Sequence, residues 1–379
     1  MITLSLLYSI GILLSLVFTY LVIILILSLD SLKSSRIEWQ VKSKVIMYFA
    51  CSLVNLISLI FYYFYPSVFV YLNWFIFFTF MLVPVFFYSF LFYITRIDFN
   101  EHFSHYHYVL PAFLSLVLLS VSLITPFDGQ LQIIKARGIC TNDAYKLFFM
   151  VSNNKIPIRI GFSTVYLLLA FYRLNRHRKF IVNYSGNDEK NRLGWLQTYL
   201  FLAVGLTPLS IGAFFYTDRS FLISSSLMLG YNFLTIIQSV YLCYYIVKGK
   251  YTVLHEHEEL KPVLTVNEVD NKVIKKSLLN RENFEEYILT NKPYLNPDLK
   301  ITDLVTELGV NRTYISGFIN AEYQMNFSNY INKCRIAEFN LLMNDPAYKE
   351  TSRKELAELV GFSSYKSLKR FYGKEEAER

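Results

Sequence analysis

The chain has 379 residues, of which 54% are hydrophobic and only 17% are charged, and it contains 33 phenylalanines and 30 tyrosines. Charged residues make up about a quarter of an ordinary soluble protein, so this composition argues against a chain that is soluble throughout. The formal charge of +8 lies in residues 1–247, which contain 17 Lys/Arg and 9 Asp/Glu, because residues 248–379 contain 20 of each. Net charge is therefore no evidence that the second part binds nucleic acid.

The cysteines and histidines do not form a recognisable ligand pattern. Cys51, Cys140, Cys243 and Cys334 are widely separated, without the spacing of a disulfide framework or a zinc site. The histidines near residues 102–107 and 255–257 are close in sequence, but a metal site needs convergent ligands with supporting contacts. We therefore expect no metal ion, and no other cofactor is indicated.

Seven stretches of the first 247 residues are long and apolar enough, or nearly so, to cross a membrane as helices. Such a crossing takes about 20 apolar residues, and the fourth and fifth stretches are the shortest. The predicted spans are Leu4–Leu29, Val45–Tyr65, Val68–Ile94, Val109–Ile124, Ile158–Tyr172, Leu196–Tyr216 and Phe221–Val247.

The distribution of lysine and arginine predicts the orientation, since these residues accumulate on the cytoplasmic side. The loops after the first, third and fifth spans and the segment after the seventh contain 13 of them, whereas the other side contains 5. We therefore predict that the amino terminus is outside and that the carboxyl terminus is in the cytoplasm of a bacterium, at its inner membrane.

The interiors of the spans lack ionisable residues, and only the ends of the fifth carry any, such as Arg159. Ionisable residues at membrane depth typically mark proton or ion pathways, so their absence argues against a coupled transporter but not against a channel or flippase. Polar residues do occur in the spans, and they fit either hydrogen bonds between helices or a ligand pocket: Asn55, Asn73, Asn232 and Gln238.

The longest outer loop, Thr125–Pro157, is a candidate sensing surface. It is polar but includes Tyr145, Phe148 and Phe149, and loops longer than about 15 residues are uncommon unless they are functional or disordered. The alternative is a loosely folded cap without a sensing role.

From residue 248 the chain becomes polar, and we predict a cytoplasmic linker over residues 248–281 and a helical domain over residues 282–379. Short amphipathic helices there alternate with Gly and Pro. We expect helices at Glu282–Thr290, at Asp303–Leu308 with Thr302 as cap and Gly309 as end, from Asn311 to Asn320, and at Phe327–Met343. A capping box of Ser352 and Glu355 begins the next helix, Gly361 turns the chain, and Ser363 caps the last helix, through Tyr372.

The two short helix pairs repeat one pattern on either side of the long helix. "ITDLVTELGVNRTYISGFIN" and "SRKELAELVGFSSYKSLKRFY" share the spacing Leu-x-x-x-(Leu/Val)-Gly-x-(Asn/Ser). Two short helices joined by a tight turn predict a helix-turn-helix, whose second helix enters the DNA major groove. With the long helix "FSNYINKCRIAEFNLL" between them, residues 282–374 resemble the DNA-binding domain of AraC-type (AraC/XylS) transcriptional regulators.

The resemblance implies that the partner is double-stranded operator DNA and that two recognition helices bind it. In the first, Arg312, Thr313 and Ser316 are the candidate contacts, although Gly317 and Asn320 replace an arginine and a basic residue common in the family. In the second, Lys366, Lys369 and Arg370 are the candidates, with Arg370 at the family's arginine position. Arg and Lys serve both guanine readout and phosphate contact. The family commonly continues with Gly-x-Ser-Pro, where this sequence reads "GKEEAER".

These features together predict a membrane-embedded one-component regulator of transcription, all-α, with a seven-helix transmembrane bundle and two helix-turn-helix units joined by a long helix. An unknown small molecule or envelope signal would shift the bundle between two arrangements of its helices. This conformational change would reach the DNA-binding domain through residues 248–281. Membrane lipid is a partner, and a homodimer and a contact with RNA polymerase are further expectations.

Two rival interpretations of the sequence remain open. The first is a transport or lipid-handling protein whose helical tail docks a protein partner, which the neutral charge of residues 248–379 favours. The second is a membrane enzyme. The sequence shows no Ser/His/Asp set, no paired intramembrane carboxylates and no Gly-rich phosphate loop, so we expect no catalytic residues and no enzymatic activity.

Overall fold

The computed structural model describes residues 2–96, 101–136, 142–186, 193–216, 221–249 and 280–377, with backbone alone at residues 2–10, 12, 207–216, 221–229, 306 and 373–377. All regular structure in this part of the chain is helical, and its one β contact is an isolated antiparallel bridge between Ser185 and Lys300. The predicted all-α class is confirmed. Most of the predicted linker 248–281, and with it the proposed signal route, lies outside the described residues.

The chain forms two compact units. The membrane unit comprises residues 1–96, 100–174 and 195–249, and the C-terminal unit comprises residues 97–99, 175–194 and 250–379. The predicted domain division at residue 247 differs from this, because residues 175–194 belong with the C-terminal unit. The boundary at 174/175 falls within one continuous helix, Lys155–Ile181.

Nine α-helices cover the described part of the sequence up to residue 249. They are α1 (Ile2–Ser31), α2 (Arg36–Phe64), α3 (Pro66–Ile94), α4 (Tyr106–Ile124), α5 (Phe127–Lys135), α6 (Lys146–Asn153), α7 (Lys155–Ile181), α8 (Gly194–Tyr216) and α9 (Phe221–Val247). Each predicted span coincides with one of them. The fifth differs most, because α7 continues nine residues beyond the predicted end at Tyr172.

Several of these helices are long and apolar enough to cross a membrane. Five helical stretches of the described residues meet that condition, and Gly194–Leu206 is a shorter apolar helix. The stretches are Leu13–Ser31, Arg36–Phe64, Pro66–Ile94, Tyr106–Ile124 and Asp143–Ile181. The chain therefore has the helices of a membrane protein.

Helix α3 is the centre of the membrane unit, since it packs on α2, α4 and α5 and buries much of its surface. Two ion pairs neutralise cations near helix ends in this unit. Lys42 Nζ lies 2.6 Å from an Asp30 carboxylate oxygen. Arg173 lies 2.6 Å from Glu101 and also donates to Thr95 Oγ1 at 3.0 Å.

The segment predicted as a long outer loop contains regular structure. Within Thr125–Pro157 lie α5, a 3-10 turn at Asp143–Tyr145 and α6. Phe148 has no exposed surface and packs with Phe77 and Met81 of α3, and Tyr145 and Phe149 pack against the same cluster. These aromatic side chains therefore contribute to the unit's core, so the expectation of a loosely folded cap is wrong for the described part of the segment.

The C-terminal unit adds six α-helices to the end of α7. They are α10 (Arg281–Asn291), α11 (Ile301–Leu308), α12 (Arg312–Tyr323), α13 (Phe327–Asn344), α14 (Arg353–Leu359) and α15 (Tyr365–Ala377). Gly309 ends α11 with φ +64 and Gly361 follows α14 with φ +92. Both glycines adopt the left-handed conformation that other residues rarely take, as the turns predicted at these positions require.

Two apolar cores lie along the long helix α13. The first joins α10, α11 and α12 to the amino-terminal half of α13, around Phe284, Leu304, Ile315 and Phe327. The second joins α14 and α15 to the carboxyl-terminal half. Helix α13 therefore positions two separate pairs of short helices.

Candidate nucleic-acid interface

The first short helix pair, α11 and α12, is fixed by local caps and by burial of one face. The Asn311 side chain accepts a hydrogen bond from the Tyr314 N–H at 2.8 Å, which confirms the predicted cap of α12. The cap predicted at Thr302 is wrong, because α11 begins earlier: Asp303 accepts from the Lys300 N–H at 2.8 Å. Ile315 and Ile319 bury the inner face of α12 and leave its other side accessible.

The predicted contacts on α12 have different exposure. Thr313 is exposed, whereas Arg312 and Ser316 are half-buried. The Arg312 guanidinium carbon lies 4.9 Å from the centroid of the Phe180 ring, at the end of α7. A cation over an aromatic face is stabilised there, so Arg312 already has a partner within this unit.

An open groove of about 520 Å³ runs along α12, and no basic residue lines it. Its lining consists of Asn311, Thr313, Tyr314, Gly317, Phe318 and Ala321. Residues 301–323 contain three acidic side chains and one basic side chain. This face is therefore poorly suited to contact phosphates, which bind mainly Lys and Arg.

The second helix pair, α14 and α15, has the opposite charge. Residues 352–372 contain five basic and two acidic side chains. The predicted capping box is confirmed, since the Ser352 N–H donates to Glu355 at 3.0 Å and the Glu355 N–H donates to Ser352 Oγ at 3.3 Å. At the last helix, the Ser367 N–H donates to Ser364 Oγ at 3.2 Å, so Ser364, one residue after the predicted Ser363, is at the cap.

The predicted contacts on α15 share one helical face. Lys366 and Lys369 are exposed and Arg370 is half-buried, while Ser367 and Leu368 are buried. Residues three and four apart are neighbours on a helix surface, so the three cations form one basic patch. Lys369 Nζ lies 5.1 Å from the Tyr365 ring centroid.

Arg335 of α13 is the polar centre of the C-terminal unit. Its side chain is 1% exposed. Its guanidinium donates to the carbonyls of Tyr294 at 2.6 Å, Asn296 at 2.7 Å and Gly186 at 2.9 Å, and more distantly to Asn332 Oδ1 at 3.4 Å. Burial lowers the pKa of Arg335 to about 10, so the group stays charged at neutral pH and its hydrogen bonds are charge-assisted.

Residues 180–186, which comprise the end of α7 and the five residues after it, form part of this unit's core; we call them the insert segment. Ile181 and Tyr184 are 2% exposed and pack in the first core. The Val182 carbonyl accepts from the Ser328 N–H at 3.1 Å and the Tyr184 carbonyl accepts from the Ile301 N–H at 2.9 Å. These donors lie in the first turns of α13 and α11, where N–H groups have no partner within the helix. The insert segment therefore caps two helices with its backbone.

The sequence pattern did not identify the insert segment or the role of Arg335. A signal was present, because Ile181, Val182 and Tyr184 are apolar within the basic stretch 173–192. Apolar residues in a charged loop need a place to pack. Nothing in the spacing indicated that this place lies more than 100 residues further along the chain.

Comparison with family models, with characterised proteins and with solved structures finds no match to this chain.

Proposed function

We propose that the protein is a membrane-bound regulator of transcription, in which α11–α12 and α14–α15 are two helix-turn-helix units and α15 is the main DNA-contacting helix. The proposal extends to a seven-span bundle at a bacterial inner membrane, with the amino terminus outside and the C-terminal unit in the cytoplasm. The partner is double-stranded DNA at a promoter.

The observation that supports DNA binding most strongly is the basic patch of Lys366, Lys369 and Arg370. It lies on the second helix of a short pair whose opposite face is buried, which is how a recognition helix presents its side chains to the major groove. The accessible face of α12 lacks such charge. We therefore assign phosphate contact and base readout to α15, and a minor role to Thr313 and Ser316.

Chromatin immunoprecipitation of the full-length protein, with a Lys366→Ala/Arg370→Ala variant beside it, tests the assignment. Discrete peaks that disappear in the variant are the expected result. A Lys333→Ala/Lys349→Ala variant is the matched control, because it removes the same charge from two exposed residues outside α14 and α15. Peaks that persist in the first variant, or vanish equally in the control, contradict the role of α15.

The DNA recovered in that experiment allows a sharper measurement. Each phosphate contact contributes about −0.9 to the slope of log K against log salt concentration. If Lys366 and Arg370 both contact phosphates, the purified full-length variant has a slope about 2 units shallower than the wild type. A base contact instead weakens binding to the operator, by about 1–3 kcal/mol, without changing binding to unrelated DNA.

The insert segment supports a second route for regulation, beside the linker 248–281. Its carbonyls cap α11 and α13, and Phe180 contacts Arg312. Displacing the insert segment would uncap both helices and release Arg312, which would give the unit a second arrangement of higher energy. A signal that favours one of the two arrangements would change DNA affinity, as linkage requires.

A second candidate function is a membrane transport or lipid-handling protein whose helical tail docks a protein. The acidic balance of residues 301–323 and the groove on α12 favour it. Absence of immunoprecipitation peaks under several growth conditions, together with no binding of purified protein to DNA, would select this alternative.

A further inference from the structure

Two cations of the membrane unit lie one turn apart on α7. Residues four apart share a helix face, and Lys155 and Arg159 both contact α3. Lys155 Nζ donates to Asn73 Oδ1 at 2.6 Å and lies 5.6 Å from the Phe69 ring centroid. The Arg159 guanidinium carbon lies 5.0 Å from the Phe80 ring centroid. Both positive charges therefore lie against α3, between Phe69 and Phe80.

This cation pair has no anionic partner among the described residues. Lys42 and Arg173 of the same unit pair with Asp30 and Glu101, whereas no carboxylate of the described chain lies within ion-pair distance of Lys155 or Arg159. An uncompensated charge beside apolar helices is unfavourable. Ionisable residues among membrane helices commonly face a bound ligand or ion for this reason.

Asn73 and the cation pair include two buried hydrogen-bond donors without an acceptor. Asn73 has no exposed surface. Since an ammonium group only donates hydrogen bonds, Asn73 must present its oxygen to Lys155, which leaves its Nδ2 as a free donor. Neither Asn73 Nδ2 nor Arg159 Nε has a partner, although Arg159 Nη1 donates to the Ser163 hydroxyl. Buried donors in native proteins rarely stay unpaired.

We propose that Lys155, Arg159 and Asn73 form a binding site for a phosphate group, carried either by free phosphate or by a lipid headgroup. Such a group supplies both the missing acceptors and the missing negative charge, and a guanidinium binds it in a bidentate manner. The flanking rings of Phe69 and Phe80 suit an anion that carries an apolar portion. The site goes beyond the proposed function, because it binds its ligand whether or not the C-terminal unit binds DNA.

Thermal unfolding of the purified full-length protein in an uncharged detergent tests the site with two probes. One is inorganic phosphate at constant ionic strength, and the other is phosphatidylglycerol added to the micelles. A ligand that binds the native state raises Tm in a saturable way. A rise with phosphate identifies free phosphate, and a rise with phosphatidylglycerol alone identifies a lipid headgroup. No rise with either probe overturns the proposal.

Three variants separate the site from general charge effects. Lys155→Gln/Arg159→Gln is expected to weaken binding at least about tenfold for each charged hydrogen bond lost. Lys135→Gln/Lys146→Gln is the matched control, since it removes two exposed cations from α5 and α6 and should respond like the wild type. Asn73→Asp keeps the shape but supplies an internal anion, so it should raise Tm without ligand and abolish the response. A response that survives in Asn73→Asp, or that the control loses equally, overturns the assignment.

Discussion

Replacing Arg335 should loosen the C-terminal unit, because its guanidinium joins the Gly186 carbonyl to the carbonyls of Tyr294 and Asn296, which lie more than 100 residues further along the chain. In Arg335→Met the carbonyls of Gly186, Tyr294 and Asn296 lose their donor. Hydrogen bonds to charged groups contribute about 1.5–3 kcal/mol each. The Asn296 bond is only partly buried, so water can replace it. We therefore expect a loss of about 3–5 kcal/mol in the free energy of opening.

Hydrogen exchange of the full-length protein measures this loss locally, since exchange rates report the free energy of opening for each segment. A loss of 3 kcal/mol corresponds to exchange about 150-fold faster at Ile301 and Ser328, whose amides donate to the insert segment. Arg335→Lys keeps the charge, but a single ammonium cannot reach carbonyls on different sides, so it should lose about half as much.

Lys333→Met is the matched control, because Lys333 is an exposed cation on the same helix. It should exchange like the wild type. An effect below about 0.5 kcal/mol in Arg335→Met, the size of an ordinary surface substitution, would refute the idea that these carbonyls depend on the guanidinium.

Three further predictions concern the C-terminal unit. Gly361→Ala should destabilise α14–α15 by at least about 2 kcal/mol in urea unfolding, because the new Cβ would lie 2.6 and 2.7 Å from two carbonyl oxygens and φ is +92; unchanged stability would mean that the turn relaxes freely. Tyr184→Ala should lower the free energy of opening of α11 and α13 by about 3 kcal/mol, which hydrogen exchange measures. Asn183→Ala, at an exposed neighbouring residue, should leave that free energy unchanged. Equal effects of the two substitutions would exclude a specific role for the buried ring of Tyr184. The N–H and hydroxyl of Ser352 lower the pKa of Glu355, so the stabilisation of α14 by the Glu355 carboxylate is present above the ordinary Glu pKa and is lost as pH falls through the lowered pKa. Hydrogen exchange of α14, corrected for intrinsic pH effects, should therefore become faster in that pH range. Glu355→Gln should lack this pH dependence.

Short-range features of the C-terminal unit were predictable because their donors and acceptors lie three or four residues apart. Asn311, the Ser352–Glu355 box and the two turn glycines follow local rules of helix capping. The same rules placed two caps wrongly by one or two residues, at Thr302 and Ser363, because several polar residues near the start of each helix can act as the cap. Tertiary packing decides among them.

The composition of the segment Thr125–Pro157 was not sufficient to predict its structure. Its polarity and length predicted a loop, but Phe148 is completely buried against α3. Short helices with few apolar residues gain most of their stability from the surface on which they pack, and that surface is not visible in the segment's own sequence. A sensing role for the segment stays a prediction. Substitutions of the nearby Lys155 and Arg159 are the most direct way to test it.

The helical class, the separation of an apolar part from a polar part, and the candidate basic face at Lys366, Lys369 and Arg370 were all predictable from the amino-acid sequence. Periodicity and capping encode these features within a few residues. Two features became visible only in the folded chain: the insert segment belongs to the C-terminal unit, and Arg335 donates to the carbonyl of Gly186, 149 residues away. Every residue has a backbone carbonyl, so the sequence does not indicate which donor a given carbonyl accepts from. Contacts of this kind form only when the whole chain has folded.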